Sequence, residues 1–130
     1  MILADDAGEF RERLRSLLEG SSRFTVVGEA QTGSEAIKLV GSLMPDLVIT
    51  DVEMPDVDRL EVVRILREQV PAVKVIVISA NTGKGYERLA REEGATAFIP
   101  KAQLSLEALS QVLLGKGSHW MTHSQPIASA

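Results

Sequence analysis

Four short apolar runs in this 130-residue chain each end in a reactive polar group. Ile2-Leu3-Ala4 leads into Asp5-Asp6, Leu47-Val48-Ile49-Thr50 into Asp51, Val75-Ile76-Val77-Ile78 into Ser79, and Phe98-Ile99-Pro100 into Lys101. A parallel strand buried on both faces reads as a continuous apolar run, and ligands on open α/β sheets bind outside the carboxyl ends of the strands. Three acids, a hydroxyl and an amine are therefore candidates for one shared pocket.

The segments between these runs have helical spacing, and strand–helix alternation from end to end predicts an α/β domain with a parallel sheet covered on both faces. Strands are expected over 2–4, 24–27, 47–50, 73–78 and 97–99. Phe10, Leu14, Leu17 and Leu18 fall at i, i+4, i+7 and i+8, an amphipathic helix that ends near Gly20. Ser34 is placed to cap a second helix carrying Ala36, Ile37, Val40 and Leu43, which stops before Pro45. Asp58 and Glu61 form a capping-box pattern for a third helix through Leu60, Val63 and Leu66, ending ahead of Pro71. Gly83 and Gly85 open a fourth helix through Tyr86, Leu89 and Ala90 to Gly94, and residues 104–114 give the last.

Right-handed crossovers in such a chain give the strand order 2-1-3-4-5, with the switch point between strands one and three. Asp5, Asp6 and Asp51 then face the same crevice. The opening strand is short for an interior strand, since Met1 lies only four residues before Asp5, and this raises the expectation of N-terminal trimming or an unusual start codon.

Composition narrows the class. With 45% hydrophobic and 25% charged residues the chain has the balance of a single soluble domain, assigned to residues 1–114. Residues 115–130 hold Gly, Ser and Thr without apolar periodicity and are read as a linker or tail of doubtful order. No apolar stretch approaches the roughly 20 residues that cross a bilayer. The formal charge of -4 argues against direct contact with nucleic acid, which needs clustered Lys and Arg. The chain has no Cys, which excludes disulfides and thiolate metal sites, and a signal-peptide pattern is missing, so a cytoplasmic location is expected.

Three carboxylates within a few ångströms of one another repel, so either some take up protons or a cation neutralises them. Mg²⁺ prefers oxygen ligands, usually one or two carboxylates together with waters and phosphate oxygens, which suits a cluster without His or Cys. A strand-end Asp carboxylate is also a nucleophile for phosphorus, forming an aspartyl-phosphate. A phosphorylated Asp51 would carry oxygens that the Lys101 ammonium could pair and the Ser79 hydroxyl could reach by a small loop shift.

On these residues the chain resembles a receiver domain of bacterial two-component response regulators, over residues 2–114. The resemblance rests on Asp5-Asp6, Asp51 followed by Met54-Pro55, Ser79-Ala80, and Phe98 three residues before Lys101. It implies a flavodoxin-like (βα)5 doubly wound sheet and a signalling protein rather than a conventional enzyme. Asp51 is similar to the phosphoacceptor, which catalyses its own phosphorylation and dephosphorylation. Asp6 and Asp51 are similar to direct Mg²⁺ ligands, the Glu53 main-chain carbonyl to a third, and Asp5 to one acting through water. Ser79 and Lys101 are similar to the groups that hold the phosphoryl oxygens, with Ser79 and Phe98 as switch residues. The implied partners are a sensor histidine kinase and, on phosphorylation, a second copy. Intervals and helix texture resemble receivers attached to LuxR-type transcription factors, so control of transcription through a DNA-binding domain outside this chain is the implied output.

Some residues depart from that pattern. Arg59 stands where these domains usually have Gly, Pro100 precedes Lys101 and Ala102 follows it where many have Pro, and Phe98 has no hydroxyl. Glu53 adds an acid two residues past Asp51. These changes leave a second reading open, a degenerate receiver that binds partners without phosphorylation. A third, phosphohydrolase chemistry, lacks the second Asp two residues beyond the nucleophile that haloacid-dehalogenase-like enzymes use. Taken singly the signals have plainer meanings: Asp6 with Glu9 is a helix-capping pattern, and Lys101 alone a solvated charge. His119 and His123 at i, i+4 and Trp120 are read as incidental to the tail, and Gly83-Lys84-Gly85 does not meet the phosphate-loop pattern.

Overall fold

The computed structural model describes residues 1–58, 60–80 and 85–114. Arg59, residues 81–84 and the 115–130 tail, with its His119, Trp120 and His123, lie outside the described residues. Five strands, β1 (Ile2–Ala4), β2 (Gly28–Ala30), β3 (Leu47–Asp51), β4 (Lys74–Ser79) and β5 (Ala97–Pro100), form one parallel sheet in the order β2-β1-β3-β4-β5. This is the predicted topology. The helices are α1 (Gly8–Glu19), α2 (Gly33–Leu43), α3 (Glu61–Gln69), α4 (Tyr86–Glu92) and α5 (Leu106–Leu114), with a 3₁₀ turn at Lys101–Gln103.

Alternate strand residues feed two cores, one on each face, which is why the strands read as unbroken apolar runs. Ile2, Val48, Val75, Val77 and Phe98 pack with residues of α2, α3 and α4, among them Val40, Val63, Leu66 and Ala90. Leu3, Ile49, Ile76, Ile78 and Ile99 pack with Leu14, Leu18, Leu109 and Val112 of α1 and α5. Pro100 is tolerated because β5 is an edge strand. Among the described residues no helix is long and apolar enough to cross a membrane.

Several local expectations are corrected. The second strand is Gly28–Ala30 rather than 24–27, because its ladder starts where Ile2 becomes available to pair with Gly28. The preceding residues are tied to Met1 instead, Val27 N–H to the Met1 carbonyl and the Met1 amine to the Thr25 carbonyl. The cap of α2 is Thr32 rather than Ser34: its hydroxyl accepts from the Glu35 N–H at 3.1 Å. The Asp6 and Glu9 capping pattern is not used, since α1 starts from Ala7 and it is Asp5 Oδ1 that accepts the Ala7 N–H. Only half of the Asp58–Glu61 box forms, the Glu61 carboxylate reaching back to the Asp58 N–H. Leu60 stands at the start of α3 with φ 62°, a left-handed conformation held by its burial. The last helix begins at Leu106, two residues later than expected, since Ser105 Oγ accepts the Ala108 N–H after the 3₁₀ turn.

Candidate phosphoryl and cation site

The parallel registers bring the carboxyl ends of β1, β3, β4 and β5 to one rim. Ala4 pairs with Thr50, Asp51 with Ile78, and Ser79 with Pro100, so the residues that follow each strand converge. Asp5 is 2% exposed, and three of its four polar atoms are hydrogen-bonded. Its N–H donates to the Ala30 carbonyl, its carbonyl accepts from Arg11 Nη1, and its Oδ1 accepts the Ala7 N–H at 2.8 Å. Arg11 is held in turn by Glu29 of β2, 2.8 Å from Nε. Asp6 is exposed at the outer edge, and Asp51 is half-buried, its Oδ1 accepting the Val52 N–H at 2.8 Å.

Lys101 reaches into this cluster from the end of β5. Its Nζ lies 2.8 Å from Asp5 Oδ2 and 3.8 Å from Asp51 Oδ2, and 4.2 Å from the centre of the Phe10 ring, a cation–π contact. Burial pushes the Asp51 carboxyl up to about 6; the Asp5 charge and, more weakly, Asp6 add to this, while Lys101 and the Val52 N–H oppose it. The expected crowding of acids is thus present, with burial its larger partner.

Asp5, Asp6 and Asp51 each offer an oxygen within 4.8 Å of the others. Asp5 Oδ2 is buried and accepts no hydrogen bond, for the Lys101 ammonium is close but not aligned to donate one. A buried carboxylate oxygen without a donor, beside two further carboxylates and no nitrogen or sulfur ligand, fits a hard divalent cation such as Mg²⁺.

The remaining residues read from the sequence take different places. Ser79 is buried at the end of β4, next to Pro100. Phe98 is 1% exposed and packs in the core under α2, α3 and α4 rather than at the pocket. The Glu53 carboxylate lies outside the three-acid group and accepts a 2.8 Å hydrogen bond from the Tyr86 hydroxyl. Sequence reading missed Phe10, Arg11 and Tyr86. Phe10 and Tyr86 count as apolar positions on helix faces, and Arg11 as a surface charge; nothing local marks them.

Residues 1–113 match the response regulator receiver domain family. The chain is 36% identical over 124 residues to a protein-glutamate methylesterase/protein-glutamine glutaminase from Lawsonia intracellularis, covering 89% of this chain and 34% of that protein. It is 31% identical over 118 residues to the transcriptional regulatory protein DegU of Brevibacillus brevis, covering 88% of this chain and 50% of the other. The chain therefore spans a third to a half of the length of these relatives. A DNA-binding response regulator of the LuxR family from Staphylococcus aureus superposes with a TM-score of 0.79 at 28% identity, over 88% of this chain and 94% of that one. With the sheet order, the convergent acids and the lysine of the rim already in place, these likenesses mean that the chain belongs to the response regulator receiver domain family.

Proposed function

We propose that Asp51 accepts a phosphoryl group from the phosphohistidine of a sensor kinase, or from a small acyl phosphate. A carboxylate oxygen of Asp51 attacks phosphorus, the bond from phosphorus to the donor nitrogen or oxygen breaks, and the donor keeps the electron pair. The Lys101 ammonium moves from Asp5 toward the new phosphoryl oxygens, which carry more charge than the carboxylate they replace. Ser79, at the end of the neighbouring strand, supplies a hydroxyl to another of those oxygens. Mg²⁺, held by Asp5, Asp6, Asp51 and the Glu53 carbonyl, would supply neutralising charge when bound.

The observation that carries this reading is the position of the Lys101 ammonium between Asp5 and Asp51, at 2.8 and 3.8 Å, above a buried carboxylate oxygen with no donor. Repositioning of Ser79 and repacking of Phe98 would pass the change to the face formed by α4, β5 and α5, and from there to an effector or a second copy. Control of transcription is the output we assign, on the strength of the DegU and LuxR-family likenesses; methylesterase activity in a joined domain would reassign it. Intact mass after incubation with acetyl phosphate and Mg²⁺ tests the core of the proposal. The expected result is one added phosphoryl group on the parent and none on Asp51→Asn. An unlabelled parent would return the chain to a phosphorylation-independent interaction module, and a labelled Asp51→Asn would move the acceptor elsewhere.

A further inference from the structure

Glu53 is the acid that the pocket leaves out. It follows Asp51 by two residues, yet its carboxylate stands outside the Asp5, Asp6 and Asp51 group and is bound 2.8 Å from the Tyr86 hydroxyl. Tyr86 is the chain's single tyrosine, the first residue of α4, and only 8% exposed. Its ring belongs to the same core cluster as Met54 and Phe98, so the phenol is a fixed point. Glu53 is exposed, on a side chain with three rotatable bonds. Released from the phenol, that carboxylate would be free to swing to the rim where an anionic phosphodonor must arrive, and like charges repel there.

We propose that Tyr86 is a positioning residue that acts through Glu53, holding this carboxylate off the Asp51 rim so that an anionic phosphodonor meets the Lys101 ammonium and not a fourth acid. The inference rests on the phosphoacceptor reading and adds to it a control on donor access. It also gives a role to the extra acid that follows Asp51, through a phenol on α4 rather than through the hydroxyl that Phe98 lacks.

The test is the initial rate at which acetyl phosphate with Mg²⁺ labels Asp51 in the parent, Tyr86→Phe, Glu53→Gln and the double variant. Phenylalanine keeps the buried ring, and a thermal melt of each variant checks folding. Tyr86→Phe is expected to label roughly threefold to tenfold more slowly at low ionic strength, with the deficit shrinking as salt screens the charge. In the Glu53→Gln background the same substitution should have no effect. Glutamine still accepts the phenol's hydrogen bond but carries no charge, so a deficit that persists there would mark a purely structural tether and overturn the proposal. Equal rates for the parent and Tyr86→Phe would overturn it too. An unlabelled parent is a separate failure, sinking the phosphoacceptor reading and this inference with it.

Discussion

The Lys101 ammonium lies a full ångström closer to Asp5 than to Asp51, 2.8 Å against 3.8 Å. In this state the lysine balances the most buried acid of the cluster and only partly offsets the charge of the half-buried one. Removing it strands Asp5, whose side chain is 3% exposed. Lys101→Met is therefore expected to destabilise the fold by about 3 kcal/mol, the usual cost of leaving one member of a buried pair alone. It should also raise the Asp51 carboxyl above its present value of about 6, since Lys101 now holds it down. Urea unfolding at neutral pH and a carboxyl NMR titration would measure the two effects.

Asp51 itself works against the fold at neutral pH. Its carboxyl is raised from 3.8 to about 6, so the folded state binds the proton more tightly than the unfolded chain. The sign follows: this group favours folding most below its unfolded value, and that advantage is lost as pH rises from about 4 through about 6. Asp51→Asn should then stabilise the protein at pH 7, by about 1–2 kcal/mol once solvent screening of this partly exposed group is allowed for, and by much less near pH 4. Equal gains at both pH values in chemical denaturation would contradict the shift.

Arg11 touches neither Asp51 nor Lys101, but its guanidinium holds the Asp5 carbonyl and is anchored by Glu29. Groups that orient a metal ligand typically alter affinity tenfold or more when removed. Arg11→Gln is expected to weaken Mg²⁺ binding by about tenfold while leaving the sheet intact, measured as the Mg²⁺ concentration that raises the melting temperature.

Met44 ends α2 in the left-handed conformation, at φ 49°, and the residue is 63% exposed. Glycine adopts that geometry without the Cβ penalty, and little apolar burial is lost. Met44→Gly should stabilise the protein by about 0.5–1 kcal/mol, read as an increase in the urea midpoint.

Much of this molecule is visible in its one-dimensional pattern. Short runs of β-branched residues such as 75–78 read as strands covered on both faces, and the alternation with helical spacing leaves the parallel order β2-β1-β3-β4-β5 as the natural topology. Asp5, Asp51, Ser79 and Lys101 stand out because each follows such a run, and the sheet carries all strand ends to one rim. Boundaries were less legible where pairing or a competing cap decides them: β2 begins where Ile2 can pair, and Thr32 outcompetes Ser34 because its hydroxyl meets the Glu35 N–H.

What the folded chain alone decides is how each polar group is satisfied. Residues 91 positions apart, Phe10 and Lys101, meet as a cation over a ring, Arg11 bridges Glu29 to the Asp5 carbonyl, and Tyr86 claims the Glu53 carboxylate. Hydropathy repeats every two or 3.6 residues and so leaves its mark in any short window of sequence. A hydrogen bond or ion pair depends on two atoms reaching hydrogen-bonding distance in space, and partners such as Arg11 and Glu29 or Glu53 and Tyr86, 18 and 33 positions apart, share no short window.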